Sequence, residues 1–221
     1  MKGALILAGG KSTRFDGNKA LVRLGGKPLI AHVVQTAARI AGEVVVAIGR
    51  ESSIDVYRQL LPRSVHIVKD QMRAKSPLVG ILTGFQGMKS EYSIVLSCDT
   101  PFVKDDVLRF LVKKAIRSDA AVPRWPNGDI EPLQSVYKVR SAIPAAKLAL
   151  SRHELRNMDM IKRLSRVTYV PVREIKRIDE DLTTFFNINK RSDLRRAESL
   201  LPQIDRSYRV TSKVSRHLCG A

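Results

Sequence analysis

The chain is poor in aromatic residues, with 1 Trp, 5 Tyr and 6 Phe among 221 residues. That leaves no run of rings on which single-stranded nucleic acid could stack. Only two cysteines occur, Cys98 in an apolar run and Cys219 close to the last residue, so no disulfide framework is expected. His32, His66, His153 and His217 are scattered and make no Cys/His metal spacing with them. No apolar run approaches the roughly 20 residues of a membrane-spanning helix. Met1-Lys2 opens a short apolar run that leads straight into a glycine pair, a pattern that argues against a signal peptide. Acidic residues are few as well: 21 Asp and Glu against 39 Lys and Arg give a net charge of +18. The excess is spread along the chain. It suits general attraction of polyanionic ligands more than sequence readout of DNA. The expectation is a cytoplasmic globular protein with no membrane partner and no specific nucleic-acid partner.

What is present begins with that glycine pair. The run Leu7-Ala8-Gly9-Gly10-Lys11-Ser12-Thr13-Arg14-Phe15-Asp16-Gly17-Asn18-Lys19 joins an apolar stretch to a turn of little side-chain bulk and then to three cations. Exposed backbone N–H groups and cations at a strand exit are the ingredients of a phosphate cradle. A tight turn carrying solvated basic residues is the plainer alternative. Gly10-Lys11-Ser12 mimics the end of a P-loop, G-x-x-x-x-G-K-S/T, but the required first glycine falls on Leu5. The dinucleotide fingerprint G-x-G-x-x-G fails too, because Gly9 and Gly10 are adjacent.

Hydrophobic content of 44% and the length suit one large domain with a full core. Short apolar runs predict strands over 4–8, 43–48, 65–68, 92–97 and 120–122, ended by glycine or polar residues. Apolar residues at helical spacing predict helices over 29–40, 52–61, 78–88 and 104–117. The alternation means an α/β fold, a Rossmann-like, mostly parallel sheet with helices on both faces. Ligands in such sheets bind outside the carboxyl ends of the strands, where Gly9, Gly10, Asp70 and Asp99 lie. Beyond Asn127 the rhythm is less regular. Strands are expected over 134–138 and 167–170, helices over 141–151, 154–164 and 192–200, with Ser192 as the last helix's cap and 179–181 as an acidic patch. We expect one domain over 1–200, split near 126 into a nucleotide-binding and an acceptor-binding half, and a basic tail over 201–221.

Asp99, just past a buried strand and locked by Pro101, suits either a hard-cation ligand or a cap for the following helix. Lys19 suits a phosphate contact or a solvated lysine, and Arg14 a phosphate clamp or a surface charge. Asp70 suits a ribose hydroxyl, a base or a metal-bound water, or an ion pair with Lys69 or Arg73.

Taken together, the glycine loop, Gly26-Lys27-Pro28-Leu29, Val68-Lys69-Asp70, Pro77-Leu78-Val79-Gly80, Cys98-Asp99-Thr100-Pro101-Phe102, Glu131-Pro132-Leu133 and Asn187-Ile188-Asn189 resemble the molybdenum cofactor guanylyltransferases, within the nucleotide-diphospho-sugar transferase type of fold. The likeness covers roughly 3–200. Asp16, Ser76 and Lys190-Arg191 depart from the family's pattern. The resemblance implies that Leu7, Ala8 and Gly9 line a GTP site through their backbone. It implies that Gly10, Arg14, Gly17 and Lys19 surround the triphosphate, and that Asp70, Pro77, Leu78 and Gly80 face the guanosine. Asp99 would bind Mg²⁺ and the nucleotide, with Lys19, Asp99 and Arg14 as the catalytic set. Asn187 and Asn189 would lie where the pterin substrate docks. The implied partners are GTP and molybdenum-molybdopterin, with molybdoenzymes or cofactor-delivery proteins downstream. The implied reaction transfers GMP to the terminal phosphate of the pterin substrate and releases pyrophosphate. Relatives of the same fold that use CTP, or a sugar phosphate or phospholactate acceptor, are the alternative. Cys98 has no expected chemical role.

Overall fold

The computed structural model describes residues 2–9, 11, 12, 15, 17–72, 74 and 76–201, with Lys11 and Ser12 as backbone only. Strand β1 (Lys2–Ala8) lies at the middle of the fold. It pairs in parallel with β6 (Glu43–Ile48) on one side and β8 (Tyr92–Ser97) on the other. Its side chains alternate between two cores, as a pleated strand requires. Ala4, Ile6 and Ala8 join one apolar cluster, and Leu5 and Leu7 the other.

Between β1 and β6 the chain makes two small ribbons. Strands β2 (Lys11–Ser12) and β3 (Gly17–Asn18) pair antiparallel, which folds the glycine loop back on itself. A 3₁₀ turn over Lys19–Leu21 follows, capped by the Asn18 side chain, which accepts from Ala20 N–H at 3.1 Å. Strands β4 (Arg23–Leu24) and β5 (Lys27–Pro28) enclose Gly25 and Gly26, at φ +56° and +78°. Two successive positive φ values are what a tight hairpin turn needs. Helix α1 (Leu29–Ala38) then packs on β1, with Pro28 at its cap.

Helix α2 (Ile54–Leu60) leads to β7 (His66–Lys69), the edge strand beside β6. Helix α3 (Pro77–Gln86) covers the opposite face. Ser76 caps it by accepting from Leu78 N–H at 3.0 Å, and Pro77 fills its first position. Gly84 allows its close approach, because a Cβ there would lie 2.2 Å from Leu5 Cδ1. Helix α4 (Asp105–Ala115) carries Asp105 and Asp106 in its first turn and Lys113 and Lys114 in its last, matching the helix dipole.

The second part departs from the parallel pattern at one strand. Strands β9 (Ala120–Arg124) and β10 (Gln134–Lys138) are joined by a hairpin, so β10 runs antiparallel to β9 and to β8. Helices α5 (Val139–Ser151) and α6 (Asn157–Ile161) return the chain to β11 (Val167–Pro171), parallel to β9. The sheet order is β11-β9-β10-β8-β1-β6-β7. Short helix α7 (Val172–Lys176), which the sequence pattern did not suggest, and a 3₁₀ turn over Thr183–Phe185 follow. A last helix, α8, covers 191–201.

Three expectations need correction. The helix expected over 154–164 is only the short α6. The cap of α8 is not Ser192: the Asp193 carboxylate accepts from Asn189 and Lys190 N–H at 2.8 and 3.0 Å. The acidic patch expected over 179–181 does not act as one unit, because Asp179 is fully buried. There it pairs with Lys104 at 2.8 Å and accepts from Thr184 N–H at 2.7 Å. Burial opposes its ionisation, but these bonds prevail and hold its carboxyl below the usual range. Gly10, Arg14, Asp16 and the tail from 202 onward fall outside the described residues. Among the described residues no helix is long and apolar enough to cross a membrane.

Candidate active site

Four parallel strands, β8, β1, β6 and β7, end side by side. Just past their ends come Asp99, Gly9, Gly49 and Asp70. Gly9 and Gly49 bring two backbones into near contact: a Cβ on Gly49 would lie 2.9 Å from Gly9 O, and one on Gly9 would lie 3.2 Å from Gly49 N. Gly80, in the first turn of α3, leaves room beside them. A Cβ there would meet Leu7 Cδ2 at 3.2 Å and Asp70 Oδ2 at 4.0 Å. Asp70 thus faces a patch of bare backbone. Burial pushes its carboxyl up, with the Thr83 hydroxyl acting against that, and its Oδ1 is buried without a hydrogen-bond partner. An unpaired buried oxygen costs free energy, and among the described residues no donor reaches Asp70 Oδ1.

At the other end of this edge, Lys19 Nζ donates to Asp99 Oδ2 and, at 2.7 Å, to Asn189 Oδ1. Three segments far apart in sequence meet at one ammonium group. The Lys19 and Asp99 side chains retain only 15% and 12% exposure. Asp99 Oδ1 is buried and has no hydrogen-bond partner among the described residues. Asp99 does not cap α4, because Lys104 holds the cap position. Its backbone carbonyl instead accepts from Ile188 N–H at 3.0 Å, which anchors the 187–189 segment. A third apolar cluster, built on Leu24, Leu29, Phe102, Ile188 and Ala197, binds the same segments together.

With this geometry in hand, comparison with known proteins is decisive. The profile of the MobA-like NTP transferase domain matches residues 4–167. The chain belongs to that family. Among its relatives, a probable molybdenum cofactor guanylyltransferase of Methanosarcina mazei is 31% identical over 198 residues, 87% of this chain and 88% of that protein. The crystal structure of molybdopterin-guanine dinucleotide biosynthesis protein A from Archaeoglobus fulgidus aligns with a TM-score of 0.76 at 26% identity, over 92% of this chain and all of that one. A 2-C-methyl-D-erythritol 4-phosphate cytidylyltransferase from Thermus thermophilus shares the fold, with a TM-score of 0.66 at 18% identity, covering 90% of this chain and 98% of that one. The chain is therefore a nucleotidyltransferase of the nucleotide-diphospho-sugar transferase fold.

The remaining expected site residues of this transferase fall into two groups. Gly9, Gly17, Pro77 and Asn189 are exposed. Leu7, Ala8, Leu78 and Gly80 are buried. The carbonyls of Leu7 and Ala8 are already taken, by Cys98 N–H at 3.1 Å and by the Tyr57 hydroxyl at 3.2 Å. Leu78 has no exposure, and its N–H is bound by Ser76, so it shapes the site by packing alone. The 77–80 stretch is the first turn of α3 and not a loop. Asn187 is half-buried and donates to Phe185 O at 3.2 Å. Cys98 is buried, and burial together with the charge on Asp99 pushes its thiol up to about 12. That accords with its having no chemical role. Among the described residues no three His, Cys, Asp or Glu side chains cluster as a metal cage. Asp99 Oδ1 is the carboxylate oxygen that Lys19 leaves without a hydrogen bond among the described residues.

Sequence reasoning missed Tyr57 and Gly49. Tyr57 is buried on α2, where its hydroxyl accepts from Asn18 Nδ2 at 2.7 Å and donates to Ala8 O. It ties the strand before the glycine loop to the residue just before Lys19. On sequence it is one more apolar position of a helix. Gly49, directly after the apolar run of β6, carried a usable signal, since a glycine ending a buried strand marks close backbone approach.

Proposed function

We propose that this transferase moves GMP from GTP to the terminal phosphate of molybdenum-molybdopterin, making molybdopterin guanine dinucleotide and pyrophosphate in the cytoplasm. GTP would be held by the half up to about residue 126, and the acceptor by the half over 127–200. The observation that carries the reading is the Lys19 ammonium shared between Asp99 and Asn189. It joins the glycine loop, the exit of β8 and the second half at one point. A nucleotide laid along the strand ends would place its base at Asp70, where the guanine N1–H and amino group offer the missing donors. Its phosphates would then lie toward Lys19.

The acceptor phosphate oxygen attacks the α-phosphorus, the bond to the β-phosphate oxygen breaks, and pyrophosphate leaves. No side-chain nucleophile is needed, so the work is positioning and charge neutralisation. Lys19, held by Asp99 and Asn189, meets the growing negative charge with little reorganisation. The 187–189 segment, fastened to the Asp99 carbonyl, sets the acceptor's approach. Mg²⁺ fits the unpartnered Asp99 Oδ1, and when bound it would neutralise phosphate charge as a Lewis acid. Molybdoenzymes or cofactor-delivery proteins would receive the product.

The test is pyrophosphate release with GTP, CTP or ATP, each with and without molybdenum-molybdopterin. Release that needs both GTP and the pterin is expected. Release with CTP in preference to GTP, or with GTP alone at the same rate, would sink the assignment.

A further inference from the structure

The hairpin between β9 and β10 borders an open pocket of about 680 Å³, within the range of small-molecule sites. Trp125, Asn127, Asp129, Ile130, Glu131 and Met158 line it, and among the described residues no lysine or arginine does. In a chain of net charge +18, a described lining with two carboxylates and no cation is the reverse of the chain's overall charge. The hairpin holds its own shape. Trp125 N–H donates to Asp129 O at 2.8 Å, and Gly128 N–H to Trp125 O at 3.0 Å. Asp129 N–H donates to Asn127 Oδ1 at 3.1 Å, and Gly128 takes φ +94°, which suits glycine. The indole N–H of Trp125 donates to Glu131 Oε1 at 2.7 Å. No described residue donates to Oε2.

The cavity's place in the sheet matters as much as its lining. Strand β9 is parallel to β8 with β10 between them. The carboxyl end of β9, where Trp125 follows, therefore opens on the same edge as Asp99. Two strand spacings separate them, about 10 Å. Trp125 also packs on Phe185, with ring centroids 5.6 Å apart and planes inclined at 60°. Phe185 stands two residues before Asn187, which opens the segment that carries Asn187 and Asn189. The phosphate end of an acceptor is attracted to Lys19 and repelled by Asp129 and Glu131. The opposite end must be flat and rich in N–H donors to suit an indole and a carboxylate.

We propose that this cavity binds the heterocyclic end of the acceptor, a 2-amino-4-oxopteridine, stacked on Trp125 with its 2-amino and N3–H edge donating to Glu131. The proposal rests on the reading of the chain as a molybdopterin guanylyltransferase and adds how the acceptor is oriented. Two poles of opposite charge on one sheet edge admit the acceptor in one direction only, with its phosphate toward the nucleotide.

Trp125 is the chain's single tryptophan, so its fluorescence reports the cavity directly. The full chain is titrated with free pterin and with lumazine, which carries an oxygen in place of the 2-amino group. Saturable quenching by pterin is expected, with lumazine at least about tenfold weaker, the scale of a charge-assisted hydrogen bond. Glu131→Gln is expected to weaken pterin about tenfold, leave lumazine unchanged and leave GTP affinity by calorimetry unchanged, which shows that the variant is folded. Equal binding of pterin and lumazine by the native chain, absence of saturable quenching, or equal loss of both ligands in Glu131→Gln would each overturn the proposal. If GTP and molybdenum-molybdopterin give pyrophosphate while pterin leaves Trp125 unchanged, the cavity assignment fails and the guanylyltransferase reading stands. If pterin is bound with the stated preference but no GMP is transferred, the reading of the reaction fails and the pterin site stands.

Discussion

On the β1–β6–β7 side of the sheet, Gly9, Gly49 and Asp70 each occupy the first position after a strand. On the β9–β10 side, Trp125, Glu131, Asn187 and Asn189 sit on connections, and side chains hold those connections in place. Strand register fixes the first group, so little besides the sheet is needed to aim it. The second group depends on particular pins: Asp179 under the 3₁₀ turn, Trp125 against Phe185, and Ile188 in the third apolar cluster. Lys19 and Asn189 meet where the two regimes touch. Substitutions on the register-built side should therefore change chemistry with little change in stability. Substitutions of a pin should change stability and acceptor handling together.

The largest expected effect is at the junction. Asp99→Asn should lower turnover at least about 10²-fold, the scale for losing a preorganised electrostatic group, with an unchanged circular dichroism spectrum. Near-native turnover at saturating GTP and Mg²⁺ would remove Asp99 from the chemistry. Next is a pin. Asp179→Ala should cost about 2 kcal/mol in urea unfolding, less than the roughly 3–5 kcal/mol of a fully buried pair because Lys104 keeps 36% exposure. It should also raise KM for the acceptor with GTP affinity unchanged. The pH dependence follows from the depressed carboxyl: its stabilisation is complete above the ordinary aspartate value of about 3.8 and is lost as pH falls through the lower folded value. The gap between variant and native chain should thus narrow only in acid below about pH 3.8. A gap that is flat down to pH 2 would show that the ion pair is not its source.

Lys19→Ala should weaken GTP about tenfold by calorimetry, a change of about 1.4 kcal/mol, with the chain still folded by circular dichroism but its unfolding midpoint lowered, because the largely buried Asp99 carboxylate loses its ammonium partner. Unchanged GTP affinity would return Lys19 to the surface charges. The smallest effect tests the register-built side against itself. Burial raises the Asp70 carboxyl, so its ionised form opposes folding at neutral pH, and this cost disappears as pH falls and the group protonates. Asp70→Asn should then raise the melting temperature by about 2–4 °C, the size expected of roughly 1 kcal/mol in a domain of this length, while weakening GTP. A lower melting temperature would mean that the carboxylate has a structural partner.

The strands and helices around β1 were legible because their patterns are local. Apolar runs ended by Gly9 and Asp99 announce buried strands with polar exits, and α4 shows its apolar stripe at helical spacing. The two-residue ribbons β2–β3 and β4–β5 are too short to carry a period. Helix α7 has five residues and left no stripe to read. Asp179 read only as part of an acidic patch because Lys104 and Thr184, which neutralise and bind it, are brought to it only by the fold. Tyr57 was unreadable as a site residue for the same reason: its meaning lies in partners supplied by other elements. Antiparallel β10 follows from the turn residues around Asn127-Gly128, which allow a hairpin where a crossover was the rule elsewhere.

The buried Cys98 thiol, one residue before Asp99, also offers a clock. With its thiol pushed up to about 12 and closed off from solvent, it cannot be alkylated from the native state at neutral pH, because the thiolate is the reacting form. Once Cys219 is replaced by serine, each alkylation must wait for the exit of β8 to open. The labelling rate therefore measures how often the centre of the active site comes apart, and ligands that bind across it will slow that rate in proportion to how firmly they close it.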